Sequence, residues 1–226
     1  MKIIWFGHST FRIETGNSVI LIDPFLKGNP TFNGAGLSFD DAIKGVTHVG
    51  LTHGHDDHFA DAAEVCKTNG ATLYATFELA QHVGAEKVEP MNTGGTVAAD
   101  DFSLTLVDAL HSSSSGGTYL GNPNGIVLTT KEGKTVYHMG DTDVFPGMAL
   151  VEEFFHPHVG LVPIGDRFTM GARSAAFACK NYFKFDVVIP CHYGTFPILD
   201  PNPDKFVEEM SGHRVDVPAV GASVDV

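Results

Sequence analysis

With 226 residues, 43% of them hydrophobic, the chain is long enough to bury one sizeable core and is expected to form one domain over residues 1–226. Fourteen Lys and Arg against 27 Asp and Glu leave a net charge of −13, a field that repels phosphate backbones and anionic lipid, so neither nucleic acid nor membrane is an expected partner. No apolar run could span a bilayer, the opening MKIIWFGHST lacks a signal-like apolar core, and three cysteines at unrelated spacings make no disulfide framework, which together point to the cytoplasm.

Three short strands come first, over 2–5, 10–14 and 18–22, rich in Ile, Val and Phe and separated by Gly and Asn turn signals. Asp23-Pro24 ends the third. The stretch 25–39, rich in Gly, Pro and Asn, reads either as a flap beside a site or as a plain connector. Residues 47–51 form the next strand, and 59–68 show the i, i+3, i+4 spacing of an amphipathic helix stopped by Asn69-Gly70. Further strands fit 72–75, 102–109, 125–130, 135–138, 159–163 and 187–190, and helices fit 77–83, 147–155, 173–182 and 204–210. Meanders mixed with helices, without strict βαβ alternation, predict an α+β protein in which two sheets pack together with helices outside.

Directly after the strand at 47–51 the sequence concentrates protonatable groups, in LTHGHDDHFAD at 51–61. In an extended segment residues i and i+2 point the same way, so His53, His55 and Asp57 can converge while His58 enters the helix and points elsewhere. One segment can thus offer two ligand sets, His53 with His55 and Asp57 with His58, to two neighbouring ions. Imidazole and carboxylate donors suit zinc, or iron and manganese when carboxylates are numerous. One short segment cannot close two coordination spheres, so further ligands must come from other strand ends; His111, Asp141 and His192 stand at three of them. His48, His82, His138, His156, His158 and His213 read as ordinary core or surface histidines.

The order H-x-H-x-D-H, then His, then G-D-T-D, then a C-terminal His resembles the metallo-β-lactamase superfamily. GHSTFRI at 7–13, IDPFL at 22–26, PIGDRFTMG at 163–171 and PCHYGTF at 190–196 are similar, more narrowly, to the UPF0173 metal-dependent hydrolases and more distantly to L-ascorbate-6-phosphate lactonases. The resemblance spans Met1 to about Phe196 and implies a four-layer αββα sandwich with the site at one edge of the sheets. It implies that His53, His55 and His111 hold a first divalent ion, that Asp57, His58 and His192 hold a second, and that Asp141 bridges them, with zinc first and manganese or iron as alternatives. It also places His8 near the site, as a substrate or supporting group.

Two such ions, about 3.5 to 4 Å apart, would lower the pKa of a shared water toward about 7 and so provide hydroxide for hydrolysis. The expected substrate is a small lactone or ester; a phosphodiester or β-lactam remains the alternative, and a non-catalytic metal-binding or sensing protein is the rival class. Asp57 is the catalytic candidate, as ligand or as proton shuttle. Arg167, Thr169, Tyr193 and Thr195 join His8 as candidate substrate contacts, and a homo-oligomer is left open. SSSSGG at 112–117 reads as a linker or as a mobile wall of the site, and both it and 25–39 are expected to move more than the sheets. Phe25, Leu26, Phe32 and Leu37 would then give an otherwise polar site its apolar contacts.

Overall fold

Successive residues of one strand serve different layers: Ile20 and Ile22 belong to one buried cluster and Leu21, on the opposite face of the pleat, to another. The computed structural model describes residues 1–226. A seven-stranded sheet runs in the order β15 (Ser223–Asp225), β1 (Lys2–Trp5), β2 (Phe11–Thr15), β3 (Ser18–Ile22), β4 (His48–Gly50), β5 (Thr72–Thr76), β6 (Lys87–Met91). A six-stranded sheet runs β14 (Val187–Cys191), β13 (Val159–Pro163), β12 (Thr135–His138), β11 (Asn124–Thr130), β8 (Phe102–Asp108), β7 (Thr96–Ala98). Ile3, Ile13 and Ile22 of the first sheet and Leu104, Ile126 and Leu161 of the second share the larger cluster between them.

Outside the first sheet, Leu21, Val49 and Leu73 are covered by Phe32 of α1 (Pro30–Gly34), Ile43 of α2 (Phe39–Ile43), Val65 of α4 (Ala62–Asn69) and Leu79 of α5 (Phe77–Val83). Outside the second lie α6 (Met148–Phe155), α7 (Ala172–Tyr182) and α8 (Asp204–Glu209), which contribute Met148, Ala176 and Phe206 to the larger cluster. The result is a four-layer αββα sandwich.

β3 and β4 are parallel, as are β12, β13 and β14, and β8 runs with them because both β8 and β12 are antiparallel to β11. Their C-terminal ends deliver Asp23, His53, His111, Asp141 and His192. No helix is long and apolar enough to cross a membrane.

Several expectations need correction. The helix expected over 59–68 is two: α3 (Asp56–Phe59), which takes His55 as its N-cap, and α4, separated by Ala60 and Asp61. Asp61 spends its carboxylate on the backbone N–H groups of Leu26 and Lys27, at 2.7 and 3.0 Å, which stops one helix from running through. The stretch 25–39 is no loose flap. Asn29, buried, caps α1 by accepting from the N–H groups of Thr31 and Phe32, and Leu26 and Phe32 are buried in the outer cluster rather than facing a site. The 112–117 segment is tied down too: β9 (Ser114–Ser115) and β10 (Thr118–Tyr119) form a hairpin around Gly116 and Gly117, both at positive φ.

Candidate metal centre

The H-x-H-x-D-H segment leaves β4 and turns into α3, so its side chains split as the alternation requires. His53, His55 and His111 bring one ring nitrogen each to a common point, and His8, Asp57, His58 and His192 bring a second set together. His53, His58 and Asp141 form a third group that overlaps both. Asp141 Oδ2 lies 3.0 Å from His192 Nε2, 3.4 Å from His58 Nε2 and 3.6 Å from His111 Nε2, and so stands between the two sets.

Asp23 sets the tautomers. Its Oδ2 accepts from His58 Nδ1 at 2.7 Å and from the Thr52 hydroxyl at 2.6 Å, and its Oδ1 accepts from the Thr52 N–H at 2.8 Å. With its proton on Asp23, the Thr52 hydroxyl can only accept from His53 Nδ1, 3.0 Å away. One buried carboxylate thereby points His58 Nε2 and His53 Nε2 inward, an arrangement that orients metal-binding imidazoles. Ser113 supports the same segment, its hydroxyl accepting from the Gly54 N–H at 3.0 Å, and Ser115 donates to Asp56 at 2.7 Å.

Burial holds His53, His55 and His111 below the ordinary imidazole range, which keeps them unprotonated and available as ligands. His58 is also penalised by burial, but the Asp141 and Asp23 carboxylates outweigh that and raise it. Burial likewise opposes ionisation of Asp141 and Asp57; the charges of His192 and His58 hold Asp141 low, and the His8 hydrogen bond, with the charge of His58, holds Asp57 low.

Four buried atoms at this point, His58 Nε2, Asp141 Oδ1 and both ring nitrogens of His192, have no hydrogen-bond partner. Leaving a buried polar atom unsatisfied costs about 1–3 kcal/mol, and since a neutral imidazole offers one lone pair beside its one N–H, the cluster favours a group that accepts the inward-facing lone pairs. The unprotonated imidazoles of His53, His55 and His111 and the ionised carboxylates of Asp57 and Asp141 fit divalent cations.

The chain and its fold are similar to known proteins. The beta-lactamase superfamily domain matches residues 2–192. The chain belongs to that superfamily. It is 54% identical to a UPF0173 metal-dependent hydrolase from Methylocella silvestris, over 98% of each chain, and 51% identical to another from Mesorhizobium japonicum, over 100% of each. Among solved structures it is similar to Igni18, described as a novel metallo hydrolase from Ignicoccus hospitalis, with a TM-score of 0.88 and 31% identity over 99% of this chain and 97% of that one. The fold is that of the superfamily, and the chain is a metal-dependent hydrolase of the UPF0173 family.

The seven residues read as ligands are brought close together, but the five candidate substrate contacts do not line the adjoining cleft, which holds about 350 Å³ bounded by His55, Asp57, His111, Ser112, Asp141, Phe168 and His192. His8 is buried between Asp57, 3.1 Å from its Nε2, and Thr195, 3.0 Å from its Nδ1, so it supports Asp57 and cannot reach a substrate directly. Thr195 is accordingly a partner of His8. Tyr193 is buried in the larger cluster and stacks on Trp5 at 5.2 Å between ring centroids. The Thr169 hydroxyl bonds to the Met170 carbonyl, and Arg167 is exposed outside the cleft. Of the four apolar residues expected at the site only Phe25 approaches it, edge-on to His8 at 5.8 Å.

Sequence reasoning passed over Asp23, Thr52, Gly165 and Phe168. A buried-strand aspartate before Pro24, in a chain already offering histidine ligands, is the signal that could have marked Asp23. Gly165 packs against His192 so closely that a Cβ would collide with the His192 carbonyl oxygen. His138, read as an ordinary core histidine, spends both ring nitrogens, on the Ser9 carbonyl and the Gly140 N–H, each at 3.0 Å.

Proposed function

We propose that residues 1–226 form one hydrolase domain that cleaves a small-molecule lactone or ester with two divalent cations, zinc first and manganese or iron as alternatives. His53, His55 and His111 would hold one cation, Asp57, His58 and His192 the other, and Asp141 both. The observation that carries this reading is the position of Asp141 Oδ2, within 3.6 Å of imidazole nitrogens from each set. When bound, such a pair supplies a Lewis acid for the substrate carbonyl and an acidified water as nucleophile.

The chain's own groups do the rest. Asp57, with its side chain 34% exposed, is the more accessible of the two ionised carboxylates at the cleft and has the His8 ring behind it. His8 Nε2 holds a proton toward Asp57 Oδ2, and Thr195 fixes the His8 ring from the other side. Asp57 is thus oriented to take a proton from a nucleophile and return it to the leaving oxygen. No Lys or Arg lines the cleft, which favours an uncharged carboxylic ester or lactone over a phosphodiester. Three buried free thiols, Cys66, Cys179 and Cys191, accord with a reducing cytoplasm.

The test combines elemental analysis with turnover. Purified protein is expected to carry close to two transition-metal ions per chain and to hydrolyse members of an ester and lactone panel, with activity lost on chelation and regained with zinc or manganese. Protein that binds no metal after reconstitution, or metal-loaded protein that turns over phosphodiesters alone, overturns the proposal.

A further inference from the structure

Phe168 is the single hydrophobic residue lining the metal cleft, and 55% of its surface is exposed. Its position is held at some expense. Asp166 and Arg167, the two residues before it, both have left-handed backbone, with φ of 57° and 47°, which a residue with a Cβ adopts only when its surroundings impose it. The surroundings do so here. Gly165 abuts the His192 backbone, the Gly165 carbonyl accepts from the Asp200 N–H at 3.0 Å, and Asp166 N–H donates to the Met170 carbonyl at 3.1 Å. Met170 N–H in turn donates to the carbonyl of Thr142, the residue after Asp141, at 3.0 Å.

Thr142 also accepts on its hydroxyl from the Leu110 N–H at 2.9 Å. Leu110 precedes His111 and is itself 50% exposed. Two loops that each carry an exposed apolar side chain are therefore pinned to one buried residue beside the ligand set. A Phe kept in water on strained backbone gains free energy when an apolar surface covers it, and inside this cleft it is the one surface a nonpolar group can cover.

We infer that Phe168 is a specificity-determining residue: its ring is the wall on which the non-reacting part of the substrate packs, and the substrate is an ester or lactone bearing an aryl or alkyl group. This inference rests on the hydrolase reading above, and it places the recognition of substrate on Phe168 rather than on its charged neighbour Arg167.

The test uses the metal-loaded protein and two probes, acetate and phenylacetate, which share a carboxylate and differ by an aromatic ring. By titration calorimetry phenylacetate should bind about tenfold more tightly than acetate, the factor expected from covering part of a ring-sized apolar surface. Phe168→Ala should reduce that preference to about twofold or less, whereas Phe168→Trp and Arg167→Ala should keep it. In turnover, Phe168→Ala should lower the ratio of kcat/KM for methyl phenylacetate to kcat/KM for methyl acetate about tenfold, a ratio that Arg167→Ala should keep. Wild-type protein that binds the two probes equally, or not at all, overturns the inference, as does loss of the preference in Arg167→Ala. If the binding preference holds but neither ester is cleaved, the ester reading fails while the apolar wall stands; if both esters are cleaved and bound alike, the wall fails and the ester reading stands.

Discussion

At Asp23 the backbone is left-handed, φ 47°, and the side chain is fully buried, two features that would destabilise most residues at a strand end. Its hydrogen bonds to His58, Thr52 and the Thr52 backbone explain why an aspartate stands there. Asp23→Asn keeps the shape but puts an amide where two donors converge, so His58 and, through Thr52, His53 lose their fixed tautomers. Metal affinity should fall about 10- to 100-fold, the usual effect of removing such a supporting carboxylate, and competition with a chelator would measure it. Affinity unchanged from wild type would show that the histidines orient themselves. Gly165 acts by volume instead. In Gly165→Ala the new methyl meets the His192 carbonyl oxygen, and because a backbone atom cannot swing aside, His192 must move. The variant should retain one metal per chain and lose the other on dialysis; two retained ions would show that the loop yields rather than the ligand.

At the scale of elements, what could be read from sequence follows how local the cause is. β1 is visible from its alternating burial and β3, β12 and β13 from short apolar, β-branched runs bounded by turns, and the structure keeps the expected bounds 2–5, 18–22, 135–138 and 159–163. β6 was missed because it is a largely exposed edge strand carrying Pro90, and β7 and β15 because three-residue edge strands have too little pattern to show. α1 was missed for a different reason: within a Gly- and Asn-rich stretch its one apolar anchor is Phe32, and the cap from Asn29 needs the folded turn to be recognised. The cluster proposed to hold metal was legible because His and Asp crowd into one segment, whereas Asp23, Gly165 and Phe168 matter only through partners far along the chain. Burial of Phe32 also changes what the 25–39 segment does. Phe32→Ala should cost about 3–5 kcal/mol of stability by urea denaturation, as deletion of a buried ring does, with metal content unaltered in the folded protein. A loss of turnover without loss of stability would restore the flap reading.

For the whole molecule, strand ends of both sheets must meet before the site exists, so folding and the ionisation of the site are coupled. Burial, helped by the nearby His192, pushes His8 down to about 4 from its ordinary 6.5. Between those pH values the unfolded chain therefore binds a proton that the folded chain refuses, and acidification removes stability. His48, His53, His55, His111 and His138 shift in the same direction, each chiefly by burial. His58 is shifted the other way, so its contribution is fully present below 6.5 and is lost as the pH rises through its raised value. Asp57 and Asp141, held below 3.8, contribute stability above that value and lose it only in stronger acid. Six imidazoles against one give the sign: metal-free protein should melt at progressively lower temperature as pH falls from about 6.5 to about 4. Ligand imidazoles bind cations only when unprotonated, so the extra stability conferred by zinc should be largest near pH 7 and shrink over the same interval. Scanning calorimetry of chelated and zinc-loaded protein across that range checks both; a metal-free protein that gains stability on acidification would mean that His58 alone governs the titration of the core.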